Sequence, residues 1–155
     1  PVSSRPLHRV TSNVWWASMS DDRIEPSIDH EYVVTFLRQT SKEMVDELLV
    51  RVITTREFTS FAYSLGLNVT FDTPRRVLRI EIGGLSIPSV MMPAAGGASS
   101  ERAVAFPSDG MIDVEILRKS SRQTGRLVIS KGALAVEMLD SPDGFARLES
   151  GDRTV

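Results

Sequence analysis

The chain has 155 residues, 41% of them hydrophobic and 25% charged, with a formal net charge of −2, which predicts a single globular domain. The absence of cysteine excludes disulfide frameworks, thiolate zinc sites and cysteine nucleophiles, and it favours an intracellular protein, cytoplasmic or nuclear. No apolar run approaches the roughly 20 residues that a membrane span needs, so we expect no membrane association.

Residues 1–30 mix proline, serine and charged residues around one apolar island that contains Trp15 and Trp16. This pattern predicts an N-terminal arm with one strand, followed by a single domain over 31–150 and a tail over 151–155. Adjacent tryptophans point to opposite faces of a strand, so at least one should pack on the domain and hold the arm in place. Trp15 and Trp16 are therefore candidate partner-binding residues. Because the chain begins with proline, we expect it to be a piece of a longer protein or a processed product.

The segment Tyr32 to Leu37 has the β-branched and aromatic composition of a strand. A helix is predicted next, since Thr40 and Glu43 have capping-box spacing and the following apolar residues fit one helical stripe. These are Met44, Val45, Leu48, Leu49, Val52 and Ile53. A second short helix ending at Gly66 is also consistent with the pattern. The sequence therefore predicts one long or two short helices around residues 41–65.

After Gly66 the hydrophobic period changes to two, which is typical of strands. Alternating segments lie at 78–82, 112–116, 127–129 and 134–138. Residues 117–126 are interpreted as a hairpin with Gln123-Thr124-Gly125 at its tip, and Pro88 to Arg102 as a long loop. The predicted fold class is α+β, with about six to seven mainly antiparallel strands packed by the helices.

The hairpin over 117–126 carries the clearest local charge. Its candidate phosphate or nucleic-acid ligands are Arg118, Lys119, Arg122 and Arg126, because arginine binds phosphate in a bidentate manner. The alternative interpretation is a solvated hairpin whose charges protect an exposed edge from aggregation.

An apolar group lies near the predicted loop. It consists of Ile87, Val90, Met91 and Met92. Methionine is flexible and frequent on binding surfaces, which makes this group a candidate partner surface. The alternative is that these side chains finish a strand and cover the edge of the core.

The residues that could support catalysis are few, since the only histidines are His8 and His30. No catalytic, cofactor-binding or metal-binding residue is assigned, and no cofactor is expected. The first functional hypothesis is a non-catalytic protein–protein interaction or assembly domain, with a protein partner or self-association. The second is a phosphate or nucleic-acid binding module that uses the basic hairpin, and an enzyme of unknown class is the third.

Overall fold

The computed structural model describes residues 31–59, 62–87, 93–138 and 144–152. The predictions on Trp15, Trp16, Val90, Met91 and Met92 lie outside these residues. The described residues form nine strands. They are β1 (Tyr32–Thr40), β2 (Asp46–Phe58), β3 (Ser64–Asp72), β4 (Val77–Ser86), β5 (Gly96–Ala105), β6 (Gly110–Arg118), β7 (Ser121–Ser130), β8 (Ala133–Met138) and β9 (Ala146–Asp152).

The protein is all-β, and the predicted α+β class is wrong because the described residues contain no helix. The segment predicted to be helical forms β2 and the start of β3. In β2 the side chains of Leu48, Leu49 and Val50 are all buried, so the strand is covered on both faces. An apolar run of this kind also fits a helical stripe, and the β-branched residues decide in favour of a strand.

The predicted helix start is the turn between β1 and β2. The backbone N–H of Met44 donates to the carbonyl of Ser41 at 3.0 Å, and the N–H of Val45 donates to Ser41 Oγ at 3.2 Å. Met44 has a φ of 62°, a left-handed conformation that ends any helical continuation. The serine hydroxyl therefore stabilises a hairpin turn.

The strands form one nearly closed, barrel-like sheet in the order β8-β7-β6-β4-β3-β5-β2-β1-β9. Consecutive hairpins are antiparallel, whereas β1 pairs with β9 and β4 pairs with β6 in parallel. The strands β3 and β5 share a single parallel bridge, between Ser64 and Ser99. The sheet thus has one sparsely paired junction, between β3 and β5, and a second where its end strands β8 and β9 approach each other.

The core lies inside the sheet and follows the two-residue alternation of the strands. On β6 it contains Ile112, Val114 and Ile116, each fully buried, and β4 contributes Leu78, Ile80 and Ile82 in the same way. These are the strands that the alternation predicts at 78–82 and 112–116, and this prediction is confirmed.

Three predictions for the chain from Gly66 onward are wrong. The segment predicted as a loop up to Arg102 contains most of β5. The tip of the basic hairpin lies at Lys119 and Ser120, because Arg118 pairs with Ser121. Gly66 does not end a helix but lies within β3, where a Cβ would approach Gly83 Cα at 3.2 Å.

One end of the sheet is closed by hydrogen bonds. Arg76 donates to the Met111 carbonyl, to Ser108 Oγ and to the Ser108 carbonyl at 3.0, 2.7 and 2.6 Å. At the same end Arg38 pairs with Asp46, and this hydrogen bond holds the pKa of the Asp46 carboxyl below its usual range. Arg76 and Arg38 thus have partners within the fold.

Candidate functional site

The opposite end of the sheet holds a cavity of about 750 Å³. It is formed where β1 and β3 begin and where β2, β4 and β6 end, and we call it the end cavity. Its charged lining residues are Glu31, Arg56, Arg118 and Lys119. Its other side chains are mostly apolar or aromatic, with two threonines.

Arg118 reaches the end cavity because of its place on β6. It continues the inward series of Ile112, Val114 and Ile116, so the alternation of the strand directs its side chain toward the interior at the point where the core ends. Only 23% of this side chain is exposed. A cation is thus held at the boundary between the apolar core and the cavity.

The guanidinium of Arg118 contacts two aromatic rings. Its Cζ is 4.9 Å from the ring centre of Phe145 and 5.7 Å from that of Tyr32. The two rings meet edge to face at 6.4 Å. Such cation–π contacts orient the guanidinium, and an ion pair with Glu31 completes its surroundings.

Two further cations lie around the end cavity. Lys119 follows Arg118 at the hairpin turn, with a φ of 51°, and Arg56 lies over the ring of Phe58 at 5.5 Å. The cavity therefore has three cations against one carboxylate, Glu31, in a chain whose net charge is −2. A concave site with one sign of charge raises the local concentration of oppositely charged molecules.

The walls of the end cavity are largely apolar and are held by packing and hydrogen bonds. Leu65 and Ile82 are buried core residues, and Phe58 packs against Tyr63 with ring centres 4.9 Å apart. Thr54 Oγ1 accepts from the Ala98 N–H at 2.9 Å and donates to the Arg56 carbonyl at 2.8 Å. Burial raises the pKa of the Tyr32 hydroxyl above its ordinary value.

The four candidate cations of the basic hairpin do not form one cluster. Arg122 lies on the outer face, where it pairs with Glu115 at 2.5 Å. Arg126 is also outside, 4.0 Å from Asp113, and its Nε is buried without a hydrogen-bond partner. Only Arg118 and Lys119 line the end cavity.

The predicted apolar partner surface is described only in part. Ile87 is 66% exposed and the neighbouring Leu85 is 50% exposed. Leu85 lines the end cavity, so the described part of the predicted surface adjoins the basic site.

Sequence reasoning missed Glu31 and Arg56, which come from other strands. The register of Arg118 was a usable signal, because a cation in the inward position at the end of a buried strand is unusual. Glu31 and Arg56 could not be assigned to the site from the sequence, since only the strand order brings them to the end cavity.

In the part of the chain that the structure describes, no three His, Cys, Asp or Glu side chains are grouped so as to hold a metal ion. The same residues include no helix long and apolar enough to cross a membrane. Comparisons with protein-family models, with curated proteins and with solved structures found no match to this chain.

Proposed function

We propose that this domain is a binding module whose end cavity takes a small anionic molecule. The observation that carries the proposal is the position of Arg118, an inward-facing and largely buried guanidinium that lines the cavity together with two more cations. A guanidinium offers planar paired donors to a carboxylate or phosphate. This proposal keeps Arg118 and Lys119 of the predicted hairpin site, omits Arg122 and Arg126, and adds Arg56.

The dimensions of the end cavity agree with a small-molecule ligand. Binding pockets for such ligands typically enclose about 300–1,000 Å³ and combine apolar walls with a few polar groups. The end cavity, at about 750 Å³, has this character. Most of its lining residues lie on hydrogen-bonded strands, which favours a preformed site and so lowers the entropic cost of binding.

A nucleic-acid ligand has less support. A backbone of phosphates is bound by cations spread along a surface, whereas Arg118 and Lys119 converge within one concavity. Arg122 and Arg126 face away from it and lie beside carboxylates.

The proposal is tested by titrating the full, isotope-labelled chain with inorganic phosphate, octyl phosphate and octanoate, and following backbone amide shifts. Shift changes should gather around the end cavity for at least one of these anions. Arg118→Gln should weaken that binding about tenfold, the effect of losing one charge-assisted contact worth about 1.5–3 kcal/mol. Arg122→Gln is the matched control and should leave affinity unchanged.

A second variant tests the cavity independently of charge. Gly84 lines the end cavity and a Cβ there would meet no atom within 4 Å, so Gly84→Leu should fold and add a side chain at the wall of the cavity that competes with the ligand for space. Loss of binding in this variant supports the site. Undiminished binding in both Gly84→Leu and Arg118→Gln would place the ligand elsewhere and refute the proposal.

The assembly hypothesis remains a second proposal, supported by the exposure of Leu85 and Ile87 at the rim. Exposed neighbouring apolar side chains mark contact surfaces more often than isolated ones do. Light scattering should show self-association that Leu85→Ser with Ile87→Ser removes. A wild-type chain that stays monomeric at millimolar concentration would count against self-association.

A further inference from the structure

Resting on the proposed function, we infer that the ligand is a carboxylate with an apolar acyl or aryl body, and that its carboxylate replaces Glu31 at Arg118. The inference starts from the ion pair between Glu31 and Arg118. The carboxylate of Glu31 already occupies one side of the guanidinium. A ligand that binds at this position would therefore present a carboxylate of its own.

The backbone of Glu31 is fixed, but its side chain is accessible. The N–H of Glu31 donates to the Phe145 carbonyl at 2.9 Å, and its own carbonyl accepts from the Thr55 N–H at 3.0 Å. The side chain, in contrast, is 57% exposed. It can turn into solvent and regain hydration while the strands stay in place.

Exchange of one carboxylate for another leaves Arg118 paired throughout. A guanidinium that is largely buried resists the loss of its counter-charge, because an unpaired charge away from water is unfavourable. A ligand carboxylate meets this requirement as Glu31 does. Glu31 thus acts as an internal competitor that lowers the apparent affinity for the ligand.

The apolar body follows from the walls of the end cavity. Phe58, which is only partly buried, and Leu85, which is 50% exposed, line it, and an inorganic anion bound at Arg118 would leave them in contact with water. An acyl chain or aromatic ring would remove this apolar surface from water, which is favourable in proportion to the area covered. The ligand is therefore anionic at one end and apolar at the other.

Calorimetry on the full chain tests this inference with octanoate, acetate and octyl phosphate as probes. Octanoate should bind at least tenfold more tightly than acetate and no more weakly than octyl phosphate. Glu31→Gln should raise octanoate affinity about fivefold, because the competitor is neutralised. Glu115→Gln, which neutralises a carboxylate paired with Arg122 on the outer face, is the matched control and should change affinity less than twofold.

The outcomes separate the inference from the proposed function. Binding of octyl phosphate without octanoate overturns the carboxylate inference and leaves the anion site standing. Equal affinities for acetate and octanoate, or a Glu31→Gln variant with unchanged or reduced affinity, overturn it as well. Where Glu31→Gln does not fold, Glu31→Asp shortens the competitor by one methylene and should raise affinity in the same direction. If none of the anions binds, both the inference and the proposed function fail.

Discussion

The side-chain amide of Gln123 pairs with the backbone of Ala146 as a strand residue would. Its Nε2 donates to the Ala146 carbonyl at 2.6 Å, and its Oε1 accepts from the Ala146 N–H at 2.9 Å. Gln123 lies on β7, beside the end strand β8 of the sheet order, and Ala146 lies on β9, the strand at the opposite end. This one side chain thus helps to join the margins of the barrel-like sheet.

The junction between β3 and β5 is also closed by a polar side chain. Ser100 Oγ accepts from the Leu65 N–H at 3.0 Å and donates to the Leu65 carbonyl at 2.5 Å. Beyond the bridge between Ser64 and Ser99, these are side-chain bonds that join β3 to β5. Both junctions therefore depend on a polar side chain that replaces backbone pairing.

Gln123→Ala should destabilise the fold by about 2–6 kcal/mol, since it leaves the Ala146 N–H and carbonyl without this partner in a buried position, at about 1–3 kcal/mol each. Urea unfolding measures the change. Gln39→Ala is the control, because Gln39 donates to Glu47 at 3.1 Å in a less buried setting, and it should cost less than about 1 kcal/mol. Equal losses in the two variants would show that Gln123 has no special role.

The sequence was sufficient to predict most strands of the second half and failed between residues 41 and 65. In the strands that were predicted after Gly66, less exposed apolar residues alternate with more exposed ones, as in Ile112, Val114 and Ile116. In β2 both faces are covered at Leu48, Leu49 and Val50, and alternation disappears. Of the charged residues of the site, only Arg118 and Lys119 could be predicted from the sequence. The others, Glu31 and Arg56, reach the end cavity only because of the order of the strands.

Gly97 should not tolerate a side chain. A Cβ there would lie 2.5 Å from the Thr54 carbonyl oxygen and 2.9 Å from Ile53 Cγ1, next to the irregular pairing of β2 with β5. Gly97→Ala should cost about 1–3 kcal/mol through overpacking, measured by thermal unfolding. Gly84→Ala, with open space around its Cβ, should be neutral within about 0.5 kcal/mol. A neutral Gly97→Ala would contradict the close approach of the two backbones.

Lys119 and Lys131 share a left-handed backbone, with φ of 51° and 53°, but only Lys119 lines the end cavity. Glycine at either position relieves a strain of about 1–2 kcal/mol and loses about 0.5–1 kcal/mol through unfolded-state entropy. We expect both Lys→Gly variants to be as stable as the wild type or slightly more stable. Lys119→Gly alone should weaken anion binding, about threefold. Equal effects on binding would remove Lys119 from the site.

Tyr32 gives the fold a sensitivity to alkaline pH. Burial raises the pKa of its hydroxyl above the ordinary value of 10.0, so the folded state favours the neutral phenol. The contribution of the neutral phenol to the free energy of unfolding is fully present below pH 10 and is lost as the pH rises through the higher folded-state pKa. Denaturation midpoints between about pH 9 and 12 should fall more steeply for the wild type than for Tyr32→Phe. Parallel curves for the two proteins would indicate that Tyr32 ionises with equal ease in both states.

The most direct test of the anion site is the affinity of the full chain for octanoate and octyl phosphate in three proteins: wild type, Arg118→Gln and Arg122→Gln. The two arginines lie on adjoining strands, one inside the end cavity and one paired with Glu115 outside. We predict about a tenfold loss in Arg118→Gln and none in Arg122→Gln. Equal losses in both variants, or no binding of either anion to the wild type, would contradict the account.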